Sequence, residues 1–231
     1  MLIDNLSAPL SYAIHKCTRS SLLPYVLTVL SFIGRIFSAF LFWLGFLKGG
    51  AIVFFVSMII DSVDGKMSRF LFGKDPELRG LADFLLDMAG LCVLLVGLFS
   101  YFVSSGMITQ AWYILAVSVL IVIHQASISS KFRLMGIMGL DTQSPLRKEV
   151  FPKGTIWQIY NKVMITAKKH RLVFHPTMIE SEFLIIVVAP FLGFHEVLFQ
   201  LSILFLVIDT IIGGVIPAVL LARHENHCTV R

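Results

Sequence analysis

The chain has 231 residues, of which 57% are hydrophobic and 14% charged, and its mean hydropathy is +0.85. Soluble domains carry about 25% charged residues, and a surface this poor in charge would not stay dispersed in water. The composition excludes a soluble enzyme, a disordered chain and a disulfide scaffold, and it points to a multi-pass membrane protein. The net charge of +5 reads as the basic excess of cytoplasmic loops, and no nucleic-acid partner is expected. Cys17, Cys92 and Cys228 lie far apart, with neither zinc-site nor disulfide spacing.

Residues 1–20 set Leu2, Ile3, Leu6, Leu10, Tyr12 and Ile14 among polar neighbours. This predicts a helix lying in the membrane interface, with an unstructured tail as the alternative. No signal-peptide cleavage pattern follows. A bilayer-crossing helix needs about 20 mostly apolar residues. Such runs are predicted over 22–47, 50–69, 80–103, 109–129, 180–196 and 197–222, the fifth being short and interrupted by Pro190 and Gly193. The expected fold is all-α and integral to the membrane: six transmembrane helices and an N-terminal interfacial amphipathic helix, in a single domain over 1–231.

Short links are expected at Lys48-Gly49-Gly50, at Ser104-Ser105-Gly106 and at His195-Glu196. Of the 19 Lys and Arg, all but Lys48 and Arg35 fall on the opposite side or at its helix ends. Basic residues collect on the cytoplasmic side, so both termini and the long segment 130–179 are placed there. That segment interleaves Lys153, Lys162, Lys168, Lys169 and Arg171 with Trp157 and Tyr160. Over 155–170 it is expected to form an amphipathic helix on anionic headgroups, or a cap over the site.

The second span ends in Asp61-Ser62-Val63-Asp64-Gly65-Lys66-Met67-Ser68-Arg69, and the third begins Gly80-Leu81-Ala82-Asp83-Phe84-Leu85-Leu86-Asp87. Four carboxylates inside apolar helices are costly and are read as functional. Asp61 and Asp64 are i, i+3 and Asp83 and Asp87 are i, i+4, so each pair lies on one helix face. The hairpin between the spans brings the two faces together near the cytoplasmic side. Such a cluster takes up protons or binds cations. An all-oxygen donor set selects Mg²⁺ or Mn²⁺ over zinc, and two such ions could clamp a diphosphate. Solvated caps or salt-bridge partners are the plainer alternative, weakened here by two pairs on successive apolar helices.

These residues resemble the signature of the CDP-alcohol phosphotransferases, D-x-x-D-G-x-x-A-R, eight residues, then G-x-x-x-D-x-x-x-D. Asp61, Asp64, Gly65, Arg69, Asp83 and Asp87 supply it in order, and Pro24 to Thr28 resembles the family's opening of the first span. Ser68 stands where alanine is usual. Thirteen residues separate Arg69 from Asp83 instead of twelve, so Gly80 lies three positions before Asp83 rather than four. The resemblance implies transfer of a phosphoalcohol group from a CDP-alcohol to an acceptor hydroxyl, with release of CMP. It implies two divalent cations, Mg²⁺ or Mn²⁺, held by Asp61, Asp64, Asp83 and Asp87, with Asp87 as general base. It implies a donor site of Asp61, Asp64, Gly65, Ser68, Arg69 and Thr28, and a homodimer. CDP-diacylglycerol is the expected donor, in phospholipid synthesis at a prokaryotic inner membrane. The reverse layout, a soluble CDP-alcohol and a lipid alcohol, is the alternative. Lys131 and Arg133, directly after the fourth span, are the candidate pocket for a phosphorylated acceptor, or else ordinary flanking residues.

Three other classes fit less well. Aromatic prenyltransferases place two aspartate motifs on well-separated helices of a longer chain. A cation transporter would show repeated halves and broken helices at the midplane. A scaffold gives no reason for four Asp and an Arg at this spacing. Asp209, inside the last span, is expected either to pair with Arg35 or to line the acceptor cavity. His124, His170, His175 and His195 lack metal-ligand spacing and read as structural or solvated.

Overall fold

The computed structural model describes residues 2–18, 20–72, 77–137, 178–193, 195–216 and 218–219. The basic residues expected to form the helix over 155–170 lie outside this set. The described chain is helical throughout. In order it forms α1 (Leu2–Cys17), α2 (Leu23–Trp43), α3 (Leu47–Phe72), α4 (Glu77–Ser104) and α5 (Ile108–Ile137). After the gap, α6 (Met178–Phe183) passes through a π-helical turn, Leu184–Val188, into α7 (Ala189–Leu192). Finally α8 (His195–Asp209) runs into a second π-helical turn, Thr210–Val215.

Four stretches are long and apolar enough to cross a membrane: Leu23–Trp43, Arg79–Ser104, Ile108–Arg133 and His195–Val215. They match the first, third, fourth and sixth expected spans. The second falls on α3, a continuous helix interrupted chemically by Asp61, Asp64, Lys66 and Arg69. The fifth falls on a shorter apolar stretch, Ser181–Leu192. The protein is therefore multi-pass in character, with four rather than six spans meeting the length and apolarity of a bilayer crossing among the described residues.

The first hairpin turns earlier than expected. Gly45, with φ of +83°, ends α2, and α3 is already under way at Leu47. Glycine tolerates this left-handed conformation without a Cβ penalty. Gly50, expected in the link, is instead a packing position. A Cβ there would meet the Phe42 ring at 2.8 Å.

The chain divides into two compact units, Met1–Leu115 with Phe183–Phe199, and Ala116–Glu182 with Gln200–Arg231. In the first, α2 packs on both α3 and α4, and α1 and the Leu184–Leu192 stretch pack on α3. Its core is apolar, with Phe42, Phe54, Leu94, Leu98, Phe102, Ile185 and Phe199 fully enclosed. Yet α2 is inverted relative to a soluble helix. Thr28, Ser31, Arg35 and Ser38 point inward, while Val26, Val29, Ile33 and Phe37 are exposed. Polar residues of a membrane span face the bundle interior for the reason that lipid cannot solvate them.

Close packing of α2 on α4 depends on Gly97, where a Cβ would lie 2.5 Å from the Ala39 carbonyl oxygen. Backbone cannot yield as a side chain can. Gly97→Val is therefore expected to cost roughly 1–3 kcal/mol by overpacking, read as a lowered Tm in detergent. Gly80→Ala is the control, since nothing lies within 4 Å of its would-be Cβ.

In the second unit, the Asp209 carboxylate accepts the Met178 backbone N–H at 3.0 Å and lies 3.7 Å from His124 Nε2. Thr210 Oγ1 is 3.4 Å from His124 Nδ1. His124 is thus a buried structural partner.

Candidate metal and donor site

All four signature aspartates lie in the first unit, where α2, α3 and α4 meet. Helical spacing puts Asp61 and Asp64 on the face of α3 turned to α2, and Asp83 and Asp87 stack one turn apart on α4. One oxygen each of Asp61, Asp83 and Asp87 lies within 4.8 Å of the others. Three of the four signature carboxylates, one from α3 and two from α4, come together in this group. Asp87 touches α2 through Arg35.

Arg35 supplies counter-charge to Asp61 and Asp87. Its guanidinium donates from Nη1 to Asp87 Oδ1, and Nη2 lies 3.4 Å from Asp61 Oδ1. Ser31 Oγ stands 3.5 Å from the same Asp61 oxygen. Gly90 makes room for the arginine stem, because a Cβ there would approach Arg35 Cδ to 2.8 Å. Arg35 is 8% exposed, whereas the carboxylates of Asp61 and Asp87 keep 26% and 28% of their side-chain surface. The group is open enough to admit a small ligand, and its oxygen-only donors suit a hard divalent cation.

Asp64, next to that group, has partners of its own. Its Oδ2 accepts the Thr28 hydroxyl at 2.6 Å, and its Oδ1 lies 3.3 Å from Arg79 Nη2. Arg79 Nη2 also reaches Thr28 Oγ1 at 3.5 Å. Thr28 is held one turn into α2 by its own approach to the Pro24 carbonyl at 3.0 Å, and Pro24 suits the first turn of a helix because it has no N–H to leave unpaired. The local sequence therefore fixes Thr28 where it meets the motif.

Gly65 sits beside Asp64 with nothing within 4 Å of a would-be Cβ. Ser68 is fully buried one turn further on, and Arg69 is exposed near the end of α3. Lys66 turns to another face, donating to Ser62 at 3.0 Å and to Ser7 of α1. Ser7 and Ser62 lie 2.8 Å apart, so α1 is fastened to the motif helix. In the second unit, Lys131 Nζ donates to the Gly213 carbonyl at 3.1 Å, and Arg133 is exposed.

Sequence reasoning missed two residues. Arg79 reads as a flanking basic residue but is buried, with 2% of its surface exposed. In sequence Arg35 lies inside the first span, with Asp209 as a candidate partner. It meets Asp61 and Asp87, and Asp209 meets His124.

An all-helical membrane protein with a carboxylate cluster set between three helices is the class that fold and site define. Residues 21–137 match the CDP-alcohol phosphatidyltransferase family. The chain belongs to that family and is a transferase. Among curated proteins, none matches the chain.

Proposed function

We propose that the protein moves a phosphatidyl group from CDP-diacylglycerol to an acceptor hydroxyl, releasing CMP, in phospholipid synthesis. The observation that carries this is the meeting of Asp61, Asp83 and Asp87 oxygens within 4.8 Å at the signature of a family defined by CDP-alcohol transfer. Mg²⁺ or Mn²⁺ bound by these carboxylates would neutralise charge on the donor diphosphate and acidify the acceptor hydroxyl. The residues divide the remaining work. Thr28, Asp64, Gly65, Ser68 and Arg69 line the donor side, with Gly65 leaving the backbone open to close approach and Arg69 offering a fork for phosphate oxygens. Asp87 takes the acceptor proton on a carboxylate oxygen. The acceptor oxygen then attacks the β-phosphorus, and the bond to CMP breaks with the electron pair leaving on CMP. Arg35, bonded to Asp87, holds the base in orientation. Phosphoryl transfer asks for this positioning and charge neutralisation more than for covalent chemistry.

The site and both termini are placed at the cytoplasmic face by the distribution of Lys and Arg, and α1 is placed in the interface. The chain acts as one domain and, by family likeness, as a homodimer. Lys131 and Arg133 are assigned to a phosphorylated acceptor. Arg133→Ala is then expected to raise KM about tenfold for such an acceptor, the loss of one charged hydrogen bond. KM for an uncharged acceptor should not move, and an equal rise for both would make Arg133 structural.

The test is CMP release by purified protein in lipid, with CDP-diacylglycerol, Mg²⁺ or Mn²⁺, and one acceptor at a time. Glycerol 3-phosphate, inositol phosphate, inositol and serine span the charged and uncharged classes. Metal-dependent release with one of them establishes donor and acceptor together. Release only with a soluble CDP-alcohol and a lipid alcohol would reverse the layout, and cation flux without CMP release would replace transfer by transport.

A further inference from the structure

We propose that Lys66 is a positioning residue for donor binding. Together with Ser7 and Ser62 it braces α1 against the signature helix, and so sets where Gly65, Ser68 and Arg69 meet the CDP-alcohol. The inference rests on the reading of those three residues as the donor side. Lys66 lies between Gly65 and Ser68 in the signature. It stands four residues after Ser62 and four before Phe70, so the three form one stripe along α3. The N-terminal helix α1 lies on that stripe. Ser7 Oγ is 2.8 Å from Ser62 Oγ, and Lys66 Nζ donates to both hydroxyls, at 3.0 Å to that of Ser62. Further along, the His15 ring stands 5.6 Å from the Phe70 ring.

The side chains at this contact are not those of simple adhesion. Among the described residues of α1, Ser7 and Ser11 alone are buried, while Leu6, Leu10 and Tyr12 are exposed. The helix therefore turns its serines to α3 and its leucines away. Next to lipid, apolar helix faces gain little from each other, because lipid tails receive them as well. An apolar contact would leave α1 free to slide or turn. A hydroxyl pair bridged by an ammonium is directional, and a satisfied polar network fixes one arrangement. The aspartates of α3 have fastenings of their own, Asp61 to Arg35 and Asp64 to Thr28. Gly65, Ser68 and Arg69 share their turns of α3 with Lys66, so the brace bears on them. The proposed base, Asp87, lies on α4. Loosening the brace should therefore weaken donor binding and spare proton transfer.

The experiment measures kcat and KM for CDP-diacylglycerol on the full chain in lipid nanodiscs, and beside them the Kd for CDP in Mg²⁺. Ser7→Val and Ser7→Thr have nearly the same shape and differ in the hydroxyl. Ser7→Val is expected to raise both KM and Kd about fivefold to tenfold, within what one charged hydrogen bond supports, with kcat unchanged. Ser7→Thr should behave as wild type. Lys66→Met should reproduce Ser7→Val, and the double variant should be no worse than either, since both act through one link. Unmoved KM and Kd in Ser7→Val and Lys66→Met would overturn the inference. So would additive losses in the double variant, or an equal loss in Ser7→Thr. A lower kcat with KM unmoved would make the brace a packing contact and overturn it as well. Where Ser7→Val fails to fold, Ser62→Ala removes the link from the α3 side and carries the same expectation. No turnover of CDP-diacylglycerol by wild type would overturn the donor reading beneath, and the Kd for CDP would then decide the brace by itself.

Discussion

Asp87→Asn is expected to lower the rate of CMP release by roughly 10²–10⁴-fold, the range that a positioned general base contributes, while donor binding persists. Asparagine keeps the shape and can still meet Arg35, but it cannot take a proton. The measurement is kcat beside equilibrium binding of the CDP-alcohol. Because Asp87 lies with Asp61 and Asp83, binding of Mn²⁺ to the variant is measured alongside. A lost ion with lost activity would make Asp87 a ligand first. A retained ion with lost activity isolates the proton transfer, and unchanged turnover would remove Asp87 from catalysis.

The second large effect falls on stability. Arg35→Met is expected to destabilise the protein by about 3 kcal/mol, the lower end for breaking a buried ion pair by removing one partner. The methionine fills similar space between α2, α3 and α4, so the loss reports charge rather than volume. It leaves Asp61 and Asp87 without the guanidinium they share. Thermal unfolding with and without Mn²⁺ checks this. The ion should restore more of the Tm in Arg35→Met than it adds to wild type. Equal shifts in the two proteins would show that Arg35 does not balance the group.

Much of this was legible in the sequence because local pattern carries it. The apolar runs over 22–47, 80–103 and 109–129 announce α2, α4 and α5. The aspartate spacing announces a shared helix face, since 3.6 residues per turn dictates it. What local pattern cannot carry is the choice of tertiary partner. Arg79 in sequence is a basic residue at the mouth of a span, indistinguishable from a positive-inside flank, and only the packing of α3 and α4 on α2 puts it against Asp64. Asp209 offered no neighbouring base in sequence, and its partner proved to be His124. The Gly49-Gly50 pair looked like a turn because consecutive glycines usually mark one. The chain reverses at Gly45 instead, and Gly50 is small because Phe42 needs the space.

Among the described helices of comparable length, α3 alone does not qualify as an apolar span, and this bears on how the protein enters its membrane. A helix carrying Asp61, Asp64, Lys66 and Arg69 gains too little from lipid to remain there by itself. It needs α2 already in place, offering Arg35 and Thr28, and then α4, bringing Arg79. The guanidinium groups that meet its aspartates come from α2 and α4, the helices before and after it in the chain, so the charged end of α3 is satisfied within the bundle rather than by lipid.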